Sequence, residues 1–212
     1  MDENLKAGSL KILENAAEAL KKNGFETAVF SDGASAAAHV LQLVGSGKTV
    51  GMGGTMTVEE LGLSERLAAA RNEIVTHRPG MEAAERRRVF RQAQAADFYI
   101  ASPQAVTRDG KMIFVDGVGN RVSAVSYGPG RVILLAGRNK LVRDTDEGLW
   151  RMRNIAALAN NIRLKKNNPC VAAGRCMDCS SPERICNVVT MLWKKPRGTE
   201  YSVVLVNEEL GY

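Results

Sequence analysis

Hydrophobic and polar residues follow two periods in turn along this chain, and the alternation predicts helices and strands. Residues 4–22 carry leucine and alanine at helical spacing, and Asn23 and Gly24 then end the helix. Short apolar runs separated by amphipathic stretches follow. The predicted helices are 4–22, 34–44, 64–71, 81–95 and 144–164, and the predicted strands are 25–30, a run that ends at 50, 73–76, 98–101, 132–136 and 202–206. Such regular alternation predicts a mostly parallel sheet with helices on both faces.

One region departs from this alternation. Between residues 109 and 130, the apolar stretches Met112–Val115 and Val122–Ser126 are separated by glycine-rich turns. Short strands between such turns are typical of antiparallel hairpins. The predicted fold is therefore α/β, with a Rossmann-like, mostly parallel sheet and an antiparallel hairpin region.

Composition and charge narrow the classes of function. The 212 residues, 45% of them hydrophobic, are enough for one well-packed domain. The net charge is +6, but aromatic residues are only 5% and are not interleaved with the basic clusters, so we expect no nucleic-acid partner. The positive charge instead favours small anionic ligands or an acidic protein. No apolar run approaches the length of a membrane span, and the first residues are acidic, so we expect a cytoplasmic protein.

The stretch from Thr49 to Leu63, TVGMGGTMTVEELGL, predicts a strand, a glycine loop and a helix. Thr57 and Glu60 have the spacing of a capping box. Open backbone N–H groups, two hydroxyl groups and a helix N-terminus would together hold a phosphate or carboxylate. A tight turn that needs positive φ is the alternative interpretation. The residues of the predicted anion site are Gly53, Gly54, Thr55 and Thr57.

Polar residues also follow several other predicted strands. Because ligands bind beyond the carboxyl ends of parallel strands, these exits are candidate site positions. They are Ser31–Asp32, His77–Arg78, Ser102–Thr107 and Gly137–Lys140. We expect Asp116, Asn120, Arg121 and Lys140 to converge on the same crevice as the glycine loop, with Arg121 facing a substrate carboxylate.

All four cysteines of the chain fall within seventeen residues, at Cys170, Cys176, Cys179 and Cys186. A tetrathiolate zinc site or an iron-sulfur cluster needs four sulfur atoms brought together in this way. Only the central CxxC pair has a familiar spacing. Disulfides or redox-active thiols, and inert thiols, therefore remain alternatives to a metal site.

Five separated segments carry a family resemblance. They read GMGGTMTVEELGL, SPQAVTRDG, DGVGNRVSAVSYGP, GRNKLV, and NPCVAAGRCMDCSSPERICN with a terminal NEELGY. In this order they resemble the LUD-domain family, the lactate-utilisation protein C-like proteins. The resemblance extends from about residue 3 to residue 212 and implies one LUD domain with a cysteine-rich segment at residues 168–190, called here the cysteine segment.

The resemblance implies a fold similar to the ribose-phosphate isomerase, glucosamine-phosphate deaminase and CoA-transferase group. In that group, positions matching Asp116 and Lys140 would be catalytic, and the glycine loop would hold a phosphate or an acyl-CoA. Isomerases of the group carry a further acidic pair where this chain has Gly119, Asn120 and Arg121. Isomerase chemistry is therefore not expected here.

The resemblance further implies a part in the oxidation of lactate, or a related hydroxy acid, to pyruvate. The implied partners are a small anionic metabolite and proteins that carry iron-sulfur clusters, and a homo-oligomer is compatible with it. The sequence has no flavin or nicotinamide motif, so the cysteines are the evident candidates for a redox group. Two hypotheses follow: a redox subunit whose cysteines hold a cluster or zinc, or a non-redox protein that binds an anionic metabolite or acts as a transferase.

Overall fold

The computed structural model describes residues 2–212, which form two sheets surrounded by helices. The strands, in chain order, are β1 Glu26–Phe30, β2 Thr49–Met52, β3 Glu73–Thr76, β4 Phe98–Ala101, β5 Ala105–Thr107, β6 Met112–Asp116, β7 Arg131–Gly137, β8 Leu141–Val142, β9 Val188–Leu192 and β10 Glu200–Val206. The α-helices are α1 Glu3–Lys22, α2 Gly33–Val44, α3 Met56–Glu60, α4 Leu63–Ala69, α5 Ala83–Gln94, α6 Asn120–Ser126, α7 Thr145–Arg151, α8 Ala157–Arg163 and α9 Pro169–Ala173. None of these helices is long and apolar enough to cross a membrane.

The larger sheet has six parallel strands in the order β1-β10-β7-β4-β2-β3. Its central strands are buried on both sides, and separate hydrophobic clusters cover the two faces. The predicted α/β fold with a mostly parallel sheet is thereby confirmed. Because all six strands run in one direction, their carboxyl ends share one edge of the sheet, here called the carboxyl edge.

The smaller sheet is mixed and has the order β8-β5-β6-β9. β6 lies antiparallel to both β5 and β9, so the expected antiparallel region exists. The predicted strand at residues 122–126 is wrong, because this segment lies in α6. Gly119 precedes α6 with a φ of +93°, and the carboxylate of Asp116 accepts hydrogen bonds from the backbone amides of Arg121 and Val122. These contacts begin a helix where the apolar pattern indicated a strand.

The capping box predicted after the glycine loop is also wrong. The helix begins two residues earlier than expected, with Thr55 at the N-cap, so Thr57 lies inside α3. Glu60 accepts instead from the backbone amide of Gly211, near the end of the chain. Moreover, α3 is only five residues long, so its dipole adds little to an anion site.

A helical stretch connects the carboxyl edge to the cysteine segment. Between α7 and α8 it contains a π-helical turn, Met152–Ala156. Such turns are often found at functional sites. The buried Arg151 of α7 donates from Nε to the backbone oxygen of Asn139, and so fixes the 3₁₀ turn Arg138–Lys140 that follows β7.

Candidate functional site

A small cavity lies at the carboxyl edge, beyond β2, β4 and β7. Its volume is about 40 Å³, which is room for roughly three water molecules. The lining includes Gly54 and Thr55 from the glycine loop, Ser102 after β4 and Lys140 after β7. Ligands of such folds usually bind beyond the carboxyl ends of the parallel strands.

Lys140 is the most buried charged group of the site, with 2% of its surface exposed. Its Nζ donates to Oγ1 of Thr57 at 2.8 Å and to Oγ of Ser102 at 2.6 Å. Within residues 2–212, it makes no ion pair with a carboxylate. Burial, together with the charges of Arg151 and Arg121 and against the opposing charge of Glu60, lowers the pKa of Lys140 to about 7. Near neutral pH the amine is therefore partly uncharged.

Arg121 lines the cavity and is held from behind by Asp116. Nε and Nη2 of Arg121 donate to Oδ1 of Asp116 at 3.0 and 2.8 Å, and Nη2 also donates to the backbone oxygen of Val115. Oδ2 of Asp116 accepts from the two amides at the start of α6. Asp116 is thus saturated with hydrogen bonds and positions Arg121. Within residues 2–212, Nη1 of Arg121 donates no hydrogen bond, so this nitrogen can meet a ligand.

The glycines of the loop serve different purposes. A Cβ at Gly51 would meet the backbone of Ala93, and one at Gly53 would overlap the side chain of Arg121 and the hydroxyl of Tyr99. Only Gly54 has a positive φ, +69°, so the turn itself requires one glycine. Gly51 and Gly53 are required for close packing, and Gly53 allows Arg121 to lie under the loop.

The backbone amides of the loop are open. Within the described residues, the N–H groups of Gly54, Thr55 and Met56 donate no hydrogen bond, and all three residues line the cavity. Unused backbone donors beside a cavity are a common means of binding anions.

The ionisable side chains of the cavity lining include basic groups but no carboxylates. Arg121, Lys140 and Arg163 contribute three basic groups, and the lining contains no Asp or Glu. Tyr212 also lines the cavity, and its hydroxyl oxygen is buried without a hydrogen-bond partner in residues 2–212. A buried polar atom without a partner is costly and indicates that a water molecule or ligand group completes the site.

His77, after β3, lies beside the glycine loop. Its Cε1 is 3.2 Å from the position that a Cβ on Gly54 would take, and its ring packs edge-on against Phe90. Burial lowers the pKa of His77, and the charges of Arg86, Arg121 and Arg163 lower it further. The effect of three arginines on the pKa of His77 indicates that the electrostatic potential at the carboxyl edge is positive.

The structure brings some of the predicted site residues together and separates others. Gly54, Thr55, Arg121 and Lys140 line the cavity, and Thr57 contacts Lys140. Gly53 and Asp116 support Arg121 from outside the lining, and Asn120 does not line the cavity. Ser102 and Gln104, from the strand exit Ser102–Thr107 that the sequence marked as a candidate, also line the cavity. Arg163 and Tyr212 line it too, and the sequence did not indicate them as site residues.

The four cysteines are half-buried free thiols. Burial raises the pKa of Cys170, and the charges of Cys179, Cys186 and Cys176 raise it further, so the other three thiols lie within electrostatic range of Cys170. Asp178 donates its backbone N–H to Sγ of Cys176 at 3.5 Å. Residues 2–212 contain no group of three or more metal-binding side chains already arranged around one point. The donor set nevertheless has the chemistry that zinc or an iron-sulfur cluster uses.

Comparison with known families identifies the chain. The family model described as the LUD domain matches residues 13–206. The chain therefore belongs to the LUD-domain family, which confirms the resemblance. Membership of the family supports a general role in lactate utilisation. A comparison with curated protein sequences gives no significant match.

Solved structures agree with this assignment at the level of the fold. The chain is similar to the crystal structure of a DUF162 family protein from Deinococcus radiodurans, with a TM-score of 0.54, 15% identity, and coverage of 93% of this chain and 98% of that one. A weaker match is to eIF2B beta from Chaetomium thermophilum, with a TM-score of 0.39, 14% identity, and coverage of 54% of this chain and 44% of that one. Another is to eIF2B delta from the same organism, with a TM-score of 0.35, 17% identity, and coverage of 52% of this chain and 48% of that one.

Proposed function

We propose that this protein binds lactate or pyruvate as a carboxylate anion at the carboxyl edge and serves as a substrate-binding subunit in lactate oxidation. The observation that carries the proposal is the composition of the cavity lining. It contains three basic side chains and open backbone amides but no acidic side chain. Arg121 is paired with Asp116, whereas Lys140 and Arg163 make no ion pair within residues 2–212. Positive charge without a carboxylate partner in a partly buried site attracts anions. The LUD-domain family assignment supports lactate as the substrate.

Each part of a hydroxy or oxo acid has a partner in the site. The free Nη1 of Arg121 and the amides of Gly54 and Thr55 suit the carboxylate. Lys140 and Ser102 can donate hydrogen bonds to the hydroxyl or carbonyl oxygen on the next carbon of the acid. The cavity volume of about 40 Å³ favours a small acid. A sugar phosphate or an acyl-CoA, which the alternative hypothesis requires, would place most of its atoms outside.

Oxidation of lactate also requires an electron acceptor. The sequence carries no flavin or nicotinamide motif, so in this proposal the electrons pass to iron-sulfur partner proteins. A second role, as an electron carrier, is favoured by the four free thiols within seventeen residues of the chain. Cys170, Cys176, Cys179 and Cys186 would then hold an iron-sulfur cluster or zinc. An iron-sulfur cluster would accept and release single electrons, whereas zinc would only stabilise the segment.

Calorimetric titration with lactate, pyruvate, inorganic phosphate and CoA tests the binding role. Arg163→Met should weaken lactate binding by roughly threefold to tenfold, because it removes one exposed partner of the anion. Arg143→Met is the matched control, since Arg143 pairs with Asp144 outside the cavity. Unchanged lactate binding in Arg163→Met, or tighter binding of CoA than of lactate, would favour the alternative hypothesis.

The electron-carrier role needs a separate experiment. The protein is prepared without oxygen, reconstituted with iron and sulfide, and analysed for bound metal and visible absorption. The double substitution Cys176→Ser and Cys179→Ser should abolish both signals while the circular dichroism of the core is retained, because these cysteines lie outside the hydrophobic clusters of the large sheet. Absence of iron and zinc from the reconstituted wild-type protein would remove this second role and leave the binding role untouched.

A further inference from the structure

The environment of Lys140 is that of a reactive amine. Buried lysines usually pair with a carboxylate, because an unpaired buried charge is costly. Here Lys140 has only 2% of its surface exposed, and its amine donates only to the hydroxyl groups of Thr57 and Ser102. A hydroxyl can accept from the ammonium form and donate to the free amine, so the site stabilises both protonation states. Desolvated lysines of this kind act as nucleophiles toward carbonyl groups.

The cavity places an oxo acid beside this amine. Lys140, Ser102 and Arg121 line the same small cavity, and the charge of Arg121 reaches Lys140 strongly enough to lower its pKa. In a 2-oxo acid the carbonyl carbon is bonded directly to the carboxylate carbon. An acid whose carboxylate meets Arg121 therefore has its carbonyl carbon one bond further on, within a small cavity that Lys140 also lines.

We propose that Lys140 forms an imine with the carbonyl carbon of a bound 2-oxo acid such as pyruvate. This inference rests on the proposed function, since it assumes that the acid binds at the carboxyl edge. Pyruvate, the product of lactate oxidation, would be retained covalently and reversibly. Lactate, whose second carbon is saturated, would bind without forming a bond.

The reaction balances within the site. The lone pair of Nζ attacks the carbonyl carbon, and the carbonyl oxygen takes up a proton that leaves the nitrogen by way of the Ser102 hydroxyl. The resulting carbinolamine loses its hydroxyl group, together with the second proton of the nitrogen, as water, and a C=N bond replaces the C–N single bond. One water molecule is released, and neither oxidant nor reductant is consumed. Hydrolysis by the reverse steps returns pyruvate and the free lysine.

Three features of the site assist these steps. Thr57 and Ser102 orient Nζ and relay protons. Arg121, fixed by Asp116, holds the carboxylate and withdraws electron density from the carbonyl group. Burial lowers the pKa of Lys140 to about 7, so the attacking free amine is present near neutral pH.

Reductive trapping tests the proposal. The protein is incubated with pyruvate and sodium borohydride, digested, and analysed by mass spectrometry. The expected result is one carboxyethyl group on Lys140, formed roughly tenfold or more faster than on exposed lysines such as Lys11, because exposed lysines are almost entirely protonated at pH 7. Lactate should give no adduct, and the trapping rate should rise with pH through about 7.

The outcome separates this inference from the proposed function. If calorimetry shows pyruvate binding but Lys140 is labelled no faster than Lys11, the imine is wrong and the binding role stands. If neither lactate nor pyruvate binds and Lys140 is not labelled, both proposals fail. Lys140→Met, checked for folding by circular dichroism, must lose the adduct. Persistence of a single fast adduct in that variant would assign the imine to another lysine.

Discussion

Nζ of Lys140 lies 2.6 Å from Oγ of Ser102, and this contact joins the ends of β4 and β7 beneath the glycine loop. The hydroxyl of Thr57 completes the arrangement from α3 and reaches the backbone oxygen of Leu210. Three segments that are distant in the sequence therefore meet at one buried amine. The desolvation of that amine costs folding free energy and, in our account, is retained because the amine binds and activates an acid.

The cost of burying Lys140 predicts an unusual dependence of stability on pH. The pKa of Lys140 is about 7 in the folded protein and 10.5 ordinarily. Between these values the unfolded chain binds a proton that the folded chain does not, so stability rises with pH from about 7 to 10.5. Lys140→Met should remove about 2–3 kcal/mol of the difference in unfolding free energy between pH 6 and pH 9.

Urea denaturation of both proteins at pH 6 and pH 9 measures this difference. Lys11→Met, on the exposed face of α1 where Lys11 pairs with Glu14, serves as the control and should leave the pH dependence unchanged. An identical pH dependence in wild type and Lys140→Met would show that the amine is not desolvated in solution.

Ligand affinity should depend on pH in the opposite sense. An anion binds more tightly when Lys140 is charged, so lactate affinity should fall as pH rises from 6 to 8.5, by roughly threefold to tenfold. Calorimetry at several pH values, with proton release measured in buffers of different ionisation enthalpy, checks this. Lys140→Met should bind lactate weakly and without this pH dependence. Affinity that is constant across this range would exclude Lys140 as a partner of the anion.

Gly53 is expected to be intolerant of substitution for a reason other than its backbone angles. A Cβ at this position would overlap Arg121 and the Tyr99 hydroxyl. Gly53→Ala should therefore destabilise the protein by about 1–3 kcal/mol and weaken lactate binding. Gly8→Ala is the matched control, because a Cβ on Gly8 in α1 meets nothing within 4 Å, and it should stabilise the helix by about 0.5–1 kcal/mol. Denaturation measures the unfolding free energy of both variants, and calorimetry measures their lactate affinity. Equal values for Gly53→Ala and Gly8→Ala would refute this role for Gly53.

The fold was largely readable from the sequence because each parallel strand is an apolar run bounded by turn residues. The segment 120–126 was not, since the carboxylate of Asp116 that caps α6 precedes it and the apolar pattern alone fits a strand. β9, at the edge of the smaller sheet, was not among the predicted strands.

The candidate site was only partly predictable from the sequence. The glycine loop, Arg121 and Lys140 follow recognisable strand or turn patterns, but the burial of Lys140 has no signature in sequence, where lysine indicates an exposed position. Asp116 was expected to be a catalytic acid, whereas its hydrogen bonds go to Arg121 and the start of α6. Arg163 and Tyr212 join the cavity through tertiary packing alone.

His77 provides a spectroscopic test of charge at the carboxyl edge. The charges of Arg121 and Arg163 lower its pKa, and a bound anion would partly neutralise them. Lactate should therefore raise the pKa of His77. An NMR titration of the histidine ring signals, with and without lactate, measures the shift. His39 packs against Phe30 and does not line the cavity, so its signals should not respond. A response of His39 and not of His77 would move the anion site elsewhere.

A crystal structure of the protein with saturating lactate would show whether the acid binds at the carboxyl edge. We predict a lactate molecule in the cavity, with its carboxylate within hydrogen-bond distance of Nη1 of Arg121 or of the amides of Gly54 and Thr55, and its hydroxyl group facing Lys140. Crystals that hold only water in this cavity at saturating lactate, or lactate bound only at another site, would contradict it.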